Sequence, residues 1–300
     1  MYVITGATGH TGKVAAETLL ASGAKVRVIG RDAQRLQPLA EKGAEAVVAD
    51  MADAAALEKA FSGARAVYAV MPPNLAAPDV RAYQERVTDS IASAVRKNGI
   101  SFAVALSSTG ADKAHGTGVV LGLHGLEAKL SAIEGLNLLS LRCGHFMENL
   151  LSQIGVIQSF GFMGGAVRGD VPCPMIATRD IGAVTADSLA RLDFSGTQTR
   201  ELLGPRHVSN DEAAKIIGAG IGKPGLAYKQ LPASLLKPAM MQMGLSANMA
   251  EMILEMSEAL NTGHMKSQEP RSARNTTPTT LETFVIEEFA PAYLGKAAGA

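Results

Sequence analysis

The chain has no tryptophan, and only 4% of its residues are aromatic. A stacking surface for single-stranded nucleic acid needs such rings, so that role is disfavoured. The two cysteines, Cys143 and Cys173, lie far apart in sequence and suit neither a disulfide framework nor a thiolate metal site. Neither sign of charge is in excess, since 28 Lys and Arg face 28 Asp and Glu. No basic surplus draws in nucleic acid or an anionic membrane. No apolar run reaches the length of a membrane span; Leu136 to Leu141 is strand-sized. The six histidines do not cluster with carboxylates at ligand spacing, so no metal is expected. Nothing at the start reads as a signal peptide, because an apolar strand begins at Tyr2. These absences lead us to expect a soluble cytoplasmic protein, monomeric or homodimeric, that acts on a small molecule.

What is present points the same way. A hydrophobic content of 47% over 300 residues can build one large core, or one core and a smaller partner. Tyr2 to Ile4 is a short apolar strand that runs directly into Gly6-x-x-Gly9-x-x-Gly12, and a helical pattern follows. Binding a dinucleotide requires that order. Gly6 turns the chain off the strand, Gly9 lets backbone approach a pyrophosphate, and Gly12 lets helix and strand pack closely. The helix N-terminus, reached through Thr8, His10 and Thr11, then faces the phosphates with free N–H groups. A glycine triplet alone says little; at the mouth of a strand–turn–helix unit it says much more.

Strands and helices alternate through the first half. Strands are expected at Tyr2–Ile4, Lys25–Ile29, Ala46–Ala49, Ala66–Met71, Ser101–Leu106 and Leu138–Arg142. They are apolar throughout, as strands buried on both faces must be. Helices are expected at Gly12–Ser22, Ala33–Lys42, Ala54–Phe61, Pro78–Asn98 and Gly122–Ile133, with Pro78 in the first turn of its helix. This alternation gives right-handed βαβ units: an α/β fold, a Rossmann-type doubly wound parallel sheet over residues 1–150. Residues 151–300 read as mixed, part packing on the sheet and part forming a smaller, mainly helical lobe over the substrate. There, Asp180–Leu192 and Ser209–Ile221 read as helices, Thr199–Leu203 as a strand, and Leu235–Asn261 as helical and rich in methionine. Met240, Met241, Met243, Met249, Met252 and Met256 could line a pliable apolar pocket or simply pack between helices. The Gly/Ala-rich tail after Leu294 is expected to fray.

Ligands of such sheets lie at the carboxyl ends of the strands. Arg31 follows the second strand, where an arginine pairs with the 2′-phosphate of NADP and an acid would hold the ribose of NAD. NADP(H) is therefore the expected cofactor. Asp32 could claim the ribose or neutralise Arg31, and Lys13 is a second phosphate partner. Asp50, beside Met51, ends the third strand, where a carboxylate can accept from the adenine amino group or cap a helix. Val70, Met71 and Pro72 end the fourth strand, along the expected path of the pyrophosphate and nicotinamide ribose. Ser107 and Ser108 end the fifth, where a catalytic hydroxyl or a turn-forming serine would sit.

None of the five tyrosines has a lysine four residues later, so the Tyr-x-x-x-Lys proton-donor pair is absent. The helix that would carry it offers His124, Glu127 and Lys129. His124 is the candidate donor, and Lys129 could touch the ribose or nicotinamide. His124 and Glu127 share a face at i,i+3, which is also how a plain polar helix surface looks.

The chain resembles the NmrA-like group of atypical short-chain dehydrogenases/reductases along nearly its whole length. The supports are Thr5 to Gly12, Gly30-Arg31-Asp32, Leu106-Ser107-Ser108, His124 with Glu127, Leu141 to Asn149, Asp180-Ile181-Gly182 and Leu203-Gly204-Pro205. One departure is that the stretch from Glu127 to Gly135 is one residue longer than the usual pattern. The resemblance implies that Phe146 and Asn149 lie near the nicotinamide and substrate. It also implies an NADPH-dependent reductase of a quinone, azo or other conjugated acceptor, or a sensor that binds NADP with little catalysis. Such acceptors tolerate a weak proton donor, because the cofactor carries the chemistry.

Overall fold

In a computed structural model, which describes Met1–Gly295, the core is a seven-stranded sheet. Strands β1 (Tyr2–Ile4), β2 (Val26–Gly30), β3 (Glu45–Val48), β4 (Ala66–Ala69), β5 (Phe102–Ser108) and β6 (Asn137–Cys143) supply six of its members. Two short pieces, β7 (His145–Phe146) and β8 (Met163–Gly165), and then β9 (Cys173–Ile176), lie outside it. The seventh member, β10 (Thr197–Leu202), comes from the second half of the chain. Sheet order is β10-β6-β5-β4-β1-β2-β3, and every pairing is parallel. The chain grows outward from β1 to β3 and then crosses to β4 on the other side. A crevice opens beyond the strand ends where the winding reverses, between β1 and β4.

Helices α1 (His10–Ala21), α2 (Ala33–Glu41), α3 (Ala54–Ala60), α4 (Val80–Lys97) and α5 (Leu121–Ser131) connect the first six strands. Two apolar clusters, one on each face of the sheet, make most of the core: Val67, Ala103 and Leu138 face one way, Tyr68, Val104 and Leu139 the other. The strand β3 departs from the expected both-face burial. It is an edge strand, and Val48 is 56% exposed. Pro78 precedes its helix rather than opening it, because Asp79 is the cap and accepts from Ala82 N at 2.9 Å.

After a short α6 (Gln153–Phe160), helix α7 (Thr178–Arg191) returns to the sheet. A Cβ on its Gly182 would lie 2.6 Å from Val14 Cβ, so only glycine permits this close crossing of α1. A third cluster gathers Met147, Met163, Met175, Ile217 and Phe284, drawing on α8 (Asn210–Gly220) and the segment after Leu281. Small sheets join β11 (His207–Val208) to β9 and β9 to β7, and β12 (Tyr228–Gln230) to β8. The expected single helix from Leu235 is two: α9 (Ala233–Gln242) and α10 (Ala247–Asn261). Gly244, at φ +93°, breaks the run, and Ser246 caps the second helix by accepting from Met249 N. Among the described residues, no helix is long and apolar enough to cross a membrane. The expected fraying of the tail concerns residues 296–300, which lie outside the described residues.

Candidate functional site

The loop between β1 and α1 is fixed from below. Buried Thr5 donates its hydroxyl to Tyr68 O at 2.9 Å and accepts from Val70 N at 2.8 Å, tying the ends of β1 and β4 together. Gly6 turns at φ +59°, and a Cβ there would press on Val70 Cβ at 3.2 Å. At Gly12 a Cβ would lie 2.5 Å from Gly6 O, so this glycine serves the packing of loop on helix. Gly9 is different. It is exposed, and a Cβ there would meet only Gly6 O at 3.2 Å, so protein packing alone does not require glycine.

Helix caps set this loop apart. The helices α2, α3 and α4 each begin with an aspartate, Asp32, Asp53 or Asp79, that accepts from the first turn. Helix α1 begins at Gly9 with no side-chain cap and no acid in its first turn. Its first N–H groups are left to an external acceptor, as an anion site requires. The Thr11 hydroxyl is not part of that offer. It accepts from the Tyr68 phenol at 3.1 Å in the core, so only its backbone faces the loop. Burial pushes the Tyr68 phenol well above its usual range and withholds it from proton transfer.

Asp32 spends its carboxylate on Gln34 N and Arg35 N, at 2.8 and 3.4 Å. Arg31 therefore stands exposed beside the crevice, without an ion-pair partner among the described residues. Arg35, in the first turn of α2, donates to Thr8 O at 3.1 Å and brings a second cation to the same loop. The signal for it was its place in the first turn of the helix that follows Arg31. Asp50 is exposed and accepts from Ala52 N at 2.9 Å, closing a turn, while Asp53 is the true helix cap. The Met51 side chain is buried in the core, so only its backbone can meet a ligand.

A cavity of about 610 Å³ lies beyond the ends of β4, β5 and β6, and its lining begins at Met71, next to the Val70 that faces Gly6. Met71, Ser107, Ser108, Phe146 and Asn149 line it together, and Pro73 does so where Pro72 lines a smaller groove of about 240 Å³. Strand β5 extends two residues past its expected end, which makes both serines strand residues. Ser107 donates to Glu127 Oε1 at 2.5 Å, and Arg142 grips the same carboxylate through Nε and Nη2 at 3.0 and 2.6 Å. Glu127 thus belongs to a buried support beneath Ser107 rather than to a pair with His124.

His124 and Lys129 do not line the cavity. His124 donates Nδ1–H to Ala111 O at 2.9 Å, and the exposed Lys129 ammonium pairs with Asp89 on α4. Helix rotation explains this: Leu123 and, one turn on, Glu127 take the inward positions. Of the six methionines, Met256 lines the main cavity and Met249 the smaller groove; Met252 packs in the core, Met240 is half-buried, and Met241 and Met243 are exposed.

The far wall of the cavity was not legible in the sequence. It brings in Val171–Pro174, His207 and the stretch Met265–Ser267, together with Leu260 from α10. Both cysteines reach the cavity, and burial raises both thiols. His145 also lines the cavity, and desolvation lowers its pKa. Among the described residues there is no group of three ligating side chains that could hold a metal.

A model of the NmrA-like family matches residues 2–285. The chain belongs to the NmrA-like family. Among solved structures, this NmrA-like chain is similar to an NADPH-dependent quinone oxidoreductase from Escherichia coli complexed with NADPH. That match has a TM-score of 0.80 at 24% identity, over 95% of this chain and 98% of the other. A Citrobacter sp. triphenylmethane reductase complexed with NADP(H) aligns with a TM-score of 0.78 at 17% identity, over 96% and 100%. A nucleoside-diphosphate-sugar epimerase from Staphylococcus aureus aligns equally well, 0.78 at 18% identity, over 95% and 99%. At these identities the likeness is one of fold. No curated protein matches the sequence.

Proposed function

We propose that the protein is an NADPH-dependent reductase that delivers hydride to a quinone, azo or similar conjugated acceptor. The observation that carries this reading is the joining of two features. An uncapped, glycine-opened helix flanked by Arg31 and Arg35 stands at the same end of the sheet as an apolar cavity large enough for a ring system, with Val70 and Met71 between them. The residues fit a dinucleotide phosphate on three counts: the open space at Gly9, the N–H groups of His10, Thr11 and Gly12, and the arginine at Arg31. Gly6, Thr8, Asp50, Met51, Val70 and Met71 complete the cradle through backbone or edge contacts. The solved relatives with NADPH or NADP(H) in their complexes support the choice of cofactor.

The nicotinamide group supplies a hydride when bound. The chain's part is to hold the ring beside the strand ends, to orient the acceptor and to exclude water. Ser107, its proton directed to Glu127, offers lone pairs rather than a donor to the cavity. Ser108, Phe146 and Asn149 line the acceptor's side. No buried tyrosine–lysine pair is needed, because the reduced product's oxygen or nitrogen can take its proton from solvent at the cavity mouth.

The second reading is an NADP(H)-binding redox sensor, and the missing Tyr-x-x-x-Lys pair favours it. Steady-state oxidation of NADPH with a series of quinones and azo dyes separates the two. Turnover above the buffer rate supports the reductase. A protein that binds NADPH tightly and turns over none of them is the sensor.

A further inference from the structure

The cavity walls contain no carboxylate. They do contain Lys266, His145 and His207, and the cation Lys266 stands beside Ser267 on the far wall. Lys266 is exposed to the cavity mouth and pairs with no acid among the described residues. Its neighbours are anchored on both sides. Met265 is buried, with its N–H on Ala259 O at 2.9 Å, and the buried Glu201 carboxylate accepts from Gln268 N and Glu269 N at 2.8 to 2.9 Å. Lys266 and Ser267 are therefore held between two fixed points.

His207 is set by a second cation. Arg271 Nη2 donates to His207 Nδ1 at 3.1 Å, and the same guanidinium donates to the carbonyls of Gly204 and Leu203. A guanidinium can only donate, so Nδ1 is the acceptor and the ring proton sits on Nε2. Nε2 lies 3.5 Å from Ser267 Oγ. Arg271 has no carboxylate partner among the described residues, and its charge stands behind the histidine. This end of the cavity thus offers an ammonium, an imidazole N–H and a hydroxyl, and nothing negative.

We infer that the acceptor carries an anionic substituent, a carboxylate or sulfonate on an aromatic ring, which meets Lys266, His207 and Ser267 while the ring fills the apolar part. The inference rests on reading this cavity as the acceptor site. A cationic ligand would find no carboxylate to receive it, and a neutral one would leave the ammonium unmatched.

The test is calorimetric titration of the full chain, saturated with NADP⁺ at fixed ionic strength. The probes are 2-naphthoate, 2-naphthamide and 2-naphthyltrimethylammonium, and the variants are wild type, Lys266→Met and Lys266→Arg. We expect naphthoate to bind roughly tenfold more tightly than the amide, the worth of one charge-assisted hydrogen bond. The quaternary ammonium should bind most weakly. Lys266→Met should erase the preference for the anion and Lys266→Arg should keep it. Equal affinities for the three probes, no binding of naphthoate, or a preference that survives Lys266→Met overturns the inference. Failure of the cofactor reading looks different. In that case NADP⁺ itself does not bind, and the order of the three probes, titrated on the chain alone, still decides this inference.

Discussion

The strand-end side of the site, which includes the β1–α1 loop, and the cavity wall built from β9, β11 and the segment after α10 meet a ligand in different ways. On the sheet side, three polar side chains are spent inside the protein. The Thr5 hydroxyl serves Tyr68 O and Val70 N, the Thr11 hydroxyl serves Tyr68, and the Ser107 proton goes to Glu127. What that side offers outward is backbone: open space at Gly9 and free N–H groups at the start of α1. The opposite wall offers side chains, with Lys266, His207 and Ser267 open to the cavity. A backbone site suits a ligand that never changes, since almost any substitution disturbs it. A side-chain site can be retuned one residue at a time. A fixed cofactor on one wall and a variable acceptor on the other is what that division suits.

The sharpest way to break the comparison is at Gly12 and Gly9. Gly12→Val puts a Cβ 2.5 Å from Gly6 O, against backbone that cannot move aside. It should destabilise the fold by about 3 kcal/mol or more. Gly9→Val meets only Gly6 O at 3.2 Å, and its φ of −88° suits any residue. That variant should fold normally and lose all thermal stabilisation by NADPH. Circular dichroism melts with and without NADPH read both effects. A Gly9→Val protein that still gains stability from NADPH would mean that phosphate does not approach the backbone here.

Next in size is the arginine pair. Arg31→Ala should weaken NADPH by about 1.5–3 kcal/mol, the loss of a charge-assisted contact, and leave NADH unchanged. Arg35→Ala should weaken it by about 1 kcal/mol, because one of its N–H groups is already engaged by Thr8 O. Calorimetry with both cofactors checks the pair. Equal wild-type affinity for NADPH and NADH would remove the role given to Arg31.

The difference between the walls also decides what could be read from the sequence. The parallel sheet, its alternating helices and the glycine loop come from local patterns of a few residues each, and they were legible. So were Met71, Ser107, Ser108, Phe146 and Asn149 as neighbours, the last two through the family resemblance. Arg35 was within reach through its place in the first turn of the helix after Arg31. The far wall was not legible, because His207 and Lys266 meet only through contacts such as Glu201 with the backbone of Gln268 and Glu269, distant in sequence. Composition also misled at the methionines. Six of them, from Met240 to Met256, read as a pliable pocket or as plain helix packing, yet Met241 and Met243 are exposed, on and just after a helix with no buried residue. The helix of His124 misled for a geometric reason: i,i+3 spacing puts two residues on one face without saying that the face looks into the cavity.

His124→Ala tests that last point with a smaller effect. Its Nδ1–H bond to Ala111 O holds the loop after β5, so about 1 kcal/mol of stability should be lost. Turnover at saturating substrate should stay within roughly twofold of wild type. A general acid would instead drop kcat by about 10²-fold or more. Steady-state kinetics after a check of NADPH binding gives the answer. A hundredfold fall in kcat would restore His124 as the donor and require its ring to reach the cavity during turnover.

The smallest expected effect is at Lys129, and it sets the baseline for the rest. Its ammonium pairs with Asp89 across α5 and α4, with both side chains well exposed at 45% and 64%. Water and salt screen such a pair, and two long side chains lose freedom in holding it, so exposed ion pairs contribute about 0.2–1 kcal/mol. Lys129→Ala should therefore move stability by no more than that. It should leave NADPH affinity and kcat unchanged, since neither the cavity nor the α1 loop touches this side chain. The pairing should also fade with salt, so the small loss measured in dilute buffer should shrink further at 1 M ionic strength, where the screening length is about 3 Å. Urea melts at low and high salt, alongside a calorimetric NADPH titration, test both statements. A fall in NADPH affinity of more than about threefold would mean that Lys129 does reach the cofactor, that the register of α5 must turn, and that Glu127 does not stay beneath Ser107.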